Sequence, residues 1–329
     1  MAKVADLSTP ALVVDVAALD HNIGVMSAVL PGDRLRPHVK AHKCTSLALR
    51  QAEAGHHNFT CATIRECEGM VAAGLGQDLL LANEVLDARR VGALVAGGAR
   101  VTLAVDSPET IDAAARGGVR EVVIDVNVGL PRCGCPPERA GKLAGLARER
   151  GLSVRGVMGY EGHVMIVADG ADRAAQCRQS MELLVAAAAD VGGELISAGG
   201  TGTYDCNTWA SEIQAGSYAL MDAQYGRQGH PFRQAVFVLA SVISNAPEWS
   251  VADAGLKAFG MDHGNPELAG SGVWFCSDEH TTFSPPRPVG DRVWLVPAHV
   301  DPTLAYHERL YLISGDEVLD TWPIDLRWW

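Results

Sequence analysis

Between about residue 20 and residue 240, short apolar runs alternate with longer amphipathic stretches, and this constrains the fold more than any other feature of the 329-residue chain. The runs fall at 38–40, 59–62, 79–82, 101–105, 122–126, 154–158, 195–198 and 212–215. Helical periodicity occupies most of the intervals, at 64–74, 108–117, 136–151 and 171–191, and several of these segments stop at glycine, as helix C-termini often do. A strand followed repeatedly by a helix calls for a parallel sheet, because parallel neighbours need a crossover. Eight such units over ~220 residues predict an α/β fold with an N-terminal (β/α)8 TIM-like barrel. A doubly wound open sheet is the alternative.

Beyond residue 240 the texture changes. Proline and glycine become dense, and short alternating runs appear at 292–296 and 309–313. This predicts a β-rich domain of about 90 residues. The apolar run Leu12-Val13-Val14 is placed to add a strand to it. The expected division is therefore a barrel over 18–240 and a β-domain over 241–329, with the N-terminal strand of 1–17 belonging to the latter.

The formal charge of −12 argues against a general nucleic-acid binder, which needs a basic face. No run of about 18 apolar residues is present, so no membrane span is expected. The N-terminus lacks an apolar signal core, which reads as cytoplasmic. Eight scattered cysteines without a Cys-x-x-Cys pair read as buried reduced thiols. The tryptophans 322, 328 and 329 read as packing of the β-domain or of a subunit interface.

Chemistry is expected at the C-terminal ends of barrel strands and on the loops that follow them. Lys40 lies at such an end, among Arg36, His38, His42 and Lys43. A lysine crowded by positive charge is suited to react as a neutral amine with an aldehyde cofactor, forming a Schiff base. Ala198-Gly199-Gly200-Thr201-Gly202-Thr203 offers backbone N–H groups and hydroxyls to an anion, although a plain tight turn reads equally well. Gly216 and Ser217, just past the last run, supply a second side for such a cup. Arg132 follows a strongly apolar strand, where an unpaired cation is costly to bury, and is expected to meet an anion or a phenolate. Tyr160 is placed to pack on a flat ring, and His163 to carry protons. Glu161 between them reads equally as a surface carboxylate. His299 and Asp301, two apart, would share a face if they lie on a strand, and so form a two-ligand site. Imidazole plus carboxylate without thiolate suits Mn2+ or Mg2+ better than structural zinc. On spacing alone, a hydrogen-bonded structural pair is the other reading.

These segments, with Thr9-Pro10-Ala11-Leu12-Val13-Val14-Asp15, Asp253-Ala254-Gly255-Leu256-Lys257 and Ser277-Asp278-Glu279-His280, resemble the D-threonine aldolase and D-serine dehydratase family, pyridoxal-phosphate enzymes of the alanine racemase fold. The resemblance runs in consistent order from about residue 8 to 313. It implies pyridoxal 5'-phosphate bound through Lys40, with Arg132 at its phenolic oxygen and Tyr160 near its ring. It implies Thr201, Gly202, Gly216, Ser217 and Tyr218 around the phosphate, a divalent metal on His299 and Asp301, and a homodimer. The His-x-Asp pattern resembles the aldolases, whereas the dehydratases are similar to one another in a His-x-Cys zinc site. The implied reaction is cleavage of a D-β-hydroxy-α-amino acid to glycine and an aldehyde, with His163 a candidate base. A D-serine or D-3-hydroxyaspartate dehydratase is the alternative. A racemase or a non-catalytic pyridoxal-phosphate carrier is weaker, because neither needs the metal pair.

Overall fold

The computed structural model describes Ala2–Trp329. Along the chain the elements are β1 (Ala11–Asp15), α1 (Val16–Val29), α2 (Thr45–Glu53), β2 (Asn58–Cys61), α3 (Ile64–Ala72), β3 (Asp78–Leu81), α4 (Arg89–Ala96), β4 (Val101–Val105), α5 (Pro108–Gly117), β5 (Glu121–Asp125), α6 (Ala140–Glu149), β6 (Ser153–Met158), α7 (Gly170–Val191), β7 (Leu195–Ala198) and β8 (Glu212–Ile213). There follow α8 (Ala223–Gly226), β9 (Val236–Asn245), β10 (Ser250–Ala252), β11 (Glu267–Leu268), β12 (Gly272–Cys276), β13 (Thr281–Ser284), β14 (Arg292–Val296), α9 (Val300–Tyr306), β15 (Arg309–Ser314) and β16 (Glu317–Pro323). The chain divides into two compact units. One is essentially residues 26–40 and 47–216 with the last four residues; the other comprises the chain up to Val25, residues 41–46 and residues 217–325.

The first unit holds a seven-stranded parallel sheet in the order β2-β3-β4-β5-β6-β7-β8. Its strands are buried on both faces and therefore read as continuous apolar runs. Leu80, Ala104, Val123, Met158 and Leu195, one from each of β3 to β7, pack into a single inner cluster. The helices between them start at side-chain caps. Thr63 accepts from the Glu66 N–H at 3.2 Å and opens α3, and Ser107 accepts from Thr110 and opens α5 with Pro108 in its first turn.

The expected strand at 38–40 does not form. Residues Val39–Ala41 make a turn of 3-10 helix, and the preceding residues 35–38 run between the two edge strands. The Arg36 N–H donates to the Ile213 carbonyl at 2.9 Å and the His38 N–H to Ala215 at 3.0 Å, while the Pro37 carbonyl accepts from the Thr60 N–H at 2.9 Å. These bonds join β8 back to β2. Pro37 has no N–H to give, so the eighth stave is a set of isolated bridges instead of a ladder.

The second unit is built on a nine-stranded sheet, mostly antiparallel, in the order β12-β13-β10-β9-β1-β15-β16, with β14 also on β9 and β11 on β14. β1 lies between β9 (antiparallel) and β15 (parallel). Val4, Ala11, Val13, Leu239 and Ile313 form one core of this unit, edged by Phe237 and Trp294.

Candidate active site

In the barrel unit, three of the expected side chains converge. Tyr160 follows β6 by two residues; Lys40 Nζ lies 5.7 Å from its ring centroid and Arg132 Cζ 5.1 Å. The ring is held by Gly162, where a Cβ would come within 2.5 Å of the ring's Cε1. Two premises of the sequence reading need correction. Arg132 is exposed, because it stands seven residues past the end of β5 on an outlying loop. Arg36 does not crowd Lys40: its guanidinium donates to Glu212 Oε1 at 2.7 Å and to Asp78 Oδ1 at 3.2 Å, both at the N-terminal ends of their strands.

The glycine-rich loop after β7 is anchored from below by Glu161. This carboxylate is fully buried and far from the surface role that its place in a loop suggested. It accepts from the Gly199 N–H at 3.2 Å, the Thr203 hydroxyl at 2.9 Å and Asn207 Nδ2 at 3.2 Å. Burial pushes its pKa up, and these donors work against that rise. Thr201, Gly202 and Gly216 are buried. A Cβ at Gly200 would come within 3.0 Å of Met165 Sδ, and one at Gly202 within 2.9 Å of the Met165 carbonyl oxygen, so the loop lies on Met165 too closely for side chains. His163 sits in a 3-10 turn under Gly129, where a Cβ would come within 2.7 Å of its ring. Its Nδ1 is buried and meets no hydrogen-bond partner among the described residues.

In the other unit, His299 and Asp301 are not on a strand. β14 ends at Val296, His299 is the N-cap of α9, and Asp301 lies in that helix's first turn. The two still approach each other, with His299 Nε2 4.0 Å from Asp301 Oδ1. Ser217 donates to Asp301 Oδ1 at 3.2 Å, and Tyr218 is wholly buried with its ring 5.7 Å from that of Phe232. Asp222 caps α8 and also accepts from the Val300 N–H at 3.0 Å, which ties down the turn between the two candidate ligands. Burial pushes the Asp222 carboxyl up to about 6, against the pull of these N–H groups and with help from the Asp301 charge.

Several participants escaped the sequence reading. The loop after β10 brings Asp262 within 2.6 Å of His299 Nδ1, and His263 stacks on the His299 ring at 4.0 Å and 5°. Gly260 permits this approach, since a Cβ there would come within 2.1 Å of the Pro302 ring. Burial and the neighbouring His299 push the His263 imidazole down. In the barrel, Asp125 at the end of β5 is buried and is pushed well above the carboxylate range by desolvation and by Glu84. Both Glu84 oxygens are themselves buried without a hydrogen-bond partner among the described residues. No local motif spacing in the sequence links these groups to their partners, which lie far apart along the chain.

Comparison with known proteins decides the family. The model for the alanine racemase N-terminal domain matches residues 14–223, and that for a serine dehydratase domain matches 235–313. The chain belongs to the D-threonine aldolase and D-serine dehydratase family. A D-threonine aldolase of Arthrobacter sp. is 33% identical over 98% of this chain and 93% of its own length. A 3-hydroxy-D-aspartate aldolase of Paracoccus denitrificans is 33% identical over 98% and 92%. The crystal structure of D-threonine aldolase from Filomicrobium marinum superposes with a TM-score of 0.92, at 32% identity over 99% of this chain and 96% of that one.

Family members with this fold use pyridoxal 5'-phosphate, and the residues present fit it. An amine, an aromatic ring and a guanidinium face one another, a side-chain-free glycine loop adjoins them, and an orphaned buried imidazole nitrogen awaits a partner. The imidazole and carboxylate of His299 and Asp301 are donor types that suit a divalent cation, and their 4.0 Å separation would close to about 3 Å to occupy adjacent octahedral positions at ~2.1 Å.

Proposed function

We propose that this protein is a pyridoxal-phosphate- and divalent-metal-dependent carbon–carbon lyase that cleaves D-threonine-like D-β-hydroxy-α-amino acids to glycine and an aldehyde. The observation that carries the reading is the convergence of Lys40 and Arg132 on the Tyr160 ring. Lys40 supplies the amine that holds the cofactor, Arg132 the cation for its phenolic oxygen, and Tyr160 a flat neighbour. Thr201, Gly202, Gly216, Ser217 and Tyr218 receive the phosphate. When bound, the pyridoxal ring serves as the sink for the electron pair of the breaking Cα–Cβ bond. His299 and Asp301 would hold Mn2+ or Mg2+, which would supply Lewis acidity toward a substrate oxygen. His163 is the candidate acceptor of the β-hydroxyl proton, and a proton returned to Cα completes glycine.

Stripping metal with a chelator and restoring Mn2+ or Mg2+ should recover glycine and aldehyde from D-threonine or D-3-hydroxyaspartate. Ammonia and a keto acid instead would make the protein a dehydratase. Borohydride reduction followed by peptide mapping should place the pyridoxyl label on Lys40; a label elsewhere would remove the cofactor assignment. The free state of all eight cysteines supports a reducing, cytoplasmic setting. Exposed Trp274 and Phe275 on β12, with Trp328 and Trp329 at the chain end, support a homodimer, and light scattering at the monomer mass would exclude it.

A further inference from the structure

The ring of His299 is engaged on three sides, and each contact is different in kind. Nδ1 meets Asp262 Oδ2 at 2.6 Å, Nε2 faces Asp301 Oδ1 at 4.0 Å, and one face is covered by the His263 ring. An ionised carboxylate only accepts, so the proton of a neutral His299 resides on Nδ1 and the lone pair on Nε2. That leaves Nε2, the atom on the Asp301 side, free to bind a metal.

Asp262, His263 and His299 bring donor atoms within 4.8 Å of one another, which by proximity alone resembles a three-ligand cage. The geometry argues otherwise. A cation bound by imidazole lies in the ring plane, along the nitrogen lone pair. The two rings are parallel to within 5° with centroids 4.0 Å apart, so a cation in the plane of one is well out of the plane of the other. His263 is therefore not placed to share an ion with His299. Asp262 already spends its near oxygen on Nδ1.

We propose that Asp262 is a positioning residue which fixes the tautomer and orientation of His299, so that Nε2 and Asp301 together take a divalent cation, while His263 braces the ring face and is not a ligand. The inference rests on the assignment of His299 and Asp301 as the metal pair and adds the group that arranges them. The loop reaches this place through Gly260, whose N–H donates to Thr303 Oγ1 at 2.9 Å, while Thr303 Oγ1 donates to the His299 carbonyl at 2.7 Å. The cap of α9 and the carboxylate behind its histidine are thus one assembly.

The test is Mn2+ titration of chelator-stripped, pyridoxal-phosphate-loaded protein, with free Mn2+ read by electron paramagnetic resonance and bound cofactor and far-UV circular dichroism checked in every variant. Asp262→Ala should weaken Mn2+ by about 10–100-fold, the usual cost of losing a carboxylate behind a ligating histidine. Asp262→Asn, which keeps an acceptor for Nδ1–H, should recover most of that loss. His263→Ala should shift Kd by less than about threefold, because no ligand is removed. Wild-type affinity in Asp262→Ala would overturn the proposal, as would a His263→Ala loss as large as that of Asp262→Ala. Retention of Mn2+ by His299→Ala would instead overturn the metal-pair assignment beneath it.

Discussion

His163 carries a nitrogen that the fold buries and leaves without a partner, in a protein whose other buried polar groups are mostly satisfied. If that nitrogen is completed by substrate, His163→Ala should lower kcat by about 10²–10⁴-fold while the visible absorbance of the bound cofactor stays intact. A loss of absorbance in parallel with activity would make it a structural residue. Glu84, beside the buried Asp125, is a second such case. The raised pKa of Asp125, driven by burial and the adjacent Glu84, means the folded chain binds more protons than the unfolded one above the ordinary carboxylate range. Stability therefore falls as pH rises through that interval. Glu84→Gln should remove part of this slope, so its Tm gain over the wild type grows from acid to neutral pH; a constant difference would show that the two carboxyls are not coupled. None of this was legible in sequence, where Glu84 and Asp125 are 41 positions apart and only the fold of strands β3 to β5 puts them together. Lys40, by contrast, was singled out by its local run of basic residues, of which Arg36 in fact turns away to Glu212 and Asp78.

Among the elements, the strands that were easiest to anticipate are those buried on both faces, whose composition leaves no other reading. The segment around Lys40 was harder. Its register is set by Pro37 and by partners in β8 and β2, which lie far along the chain. The pair His299 and Asp301 has a spacing that suits a strand, but Pro302 and Thr303 turn the backbone into α9, and the two groups meet by helix geometry. At the opposite end of the barrel strands, buried Arg36 and Glu212 form a network with the partly buried Asp78 and Arg155. Arg155 Nη1 donates to Asp78 Oδ1 at 2.9 Å, and Ser197 donates to Glu212 Oε1 at 2.6 Å. Arg36→Met leaves the Glu212 charge without its main partner and should cost about 3–5 kcal/mol in denaturant unfolding. Burial alone pushes the Asp78 carboxyl up, but hydrogen bonds from Arg155 and the charges of Arg36 and Arg155 outweigh it and hold the pKa below the ordinary value. Its stabilisation is thus present above about pH 4 and lost as pH falls further. The stability gap between wild type and Asp78→Asn should narrow steadily as pH falls below about 4; a gap that stays constant on acidification would contradict the assignment.

For the whole molecule, the notable feature is that neither compact unit is a continuous stretch of chain. The general division into a parallel barrel and a β-rich remainder follows from periodicity, because that is a local property. The number of crossings between units is not local, since it depends on which distant strand each early segment finds. β1 is bonded on both sides, to β9 and to β15. A chain begun at residue 18 should therefore fail to form the second unit, and so should an isolated 235–329 fragment; cooperative unfolding of either by circular dichroism would refute this. Val13 pairs with Tyr311, about 300 residues later, and at roughly 5–20 residues per second a ribosome needs ~15–60 s to make the second after the first. During that interval β1 has emerged with its parallel partner still unmade. The first strand of the second unit is thus among the earliest segments synthesised and its parallel partner among the last, so that unit closes only after nearly the whole chain has been made.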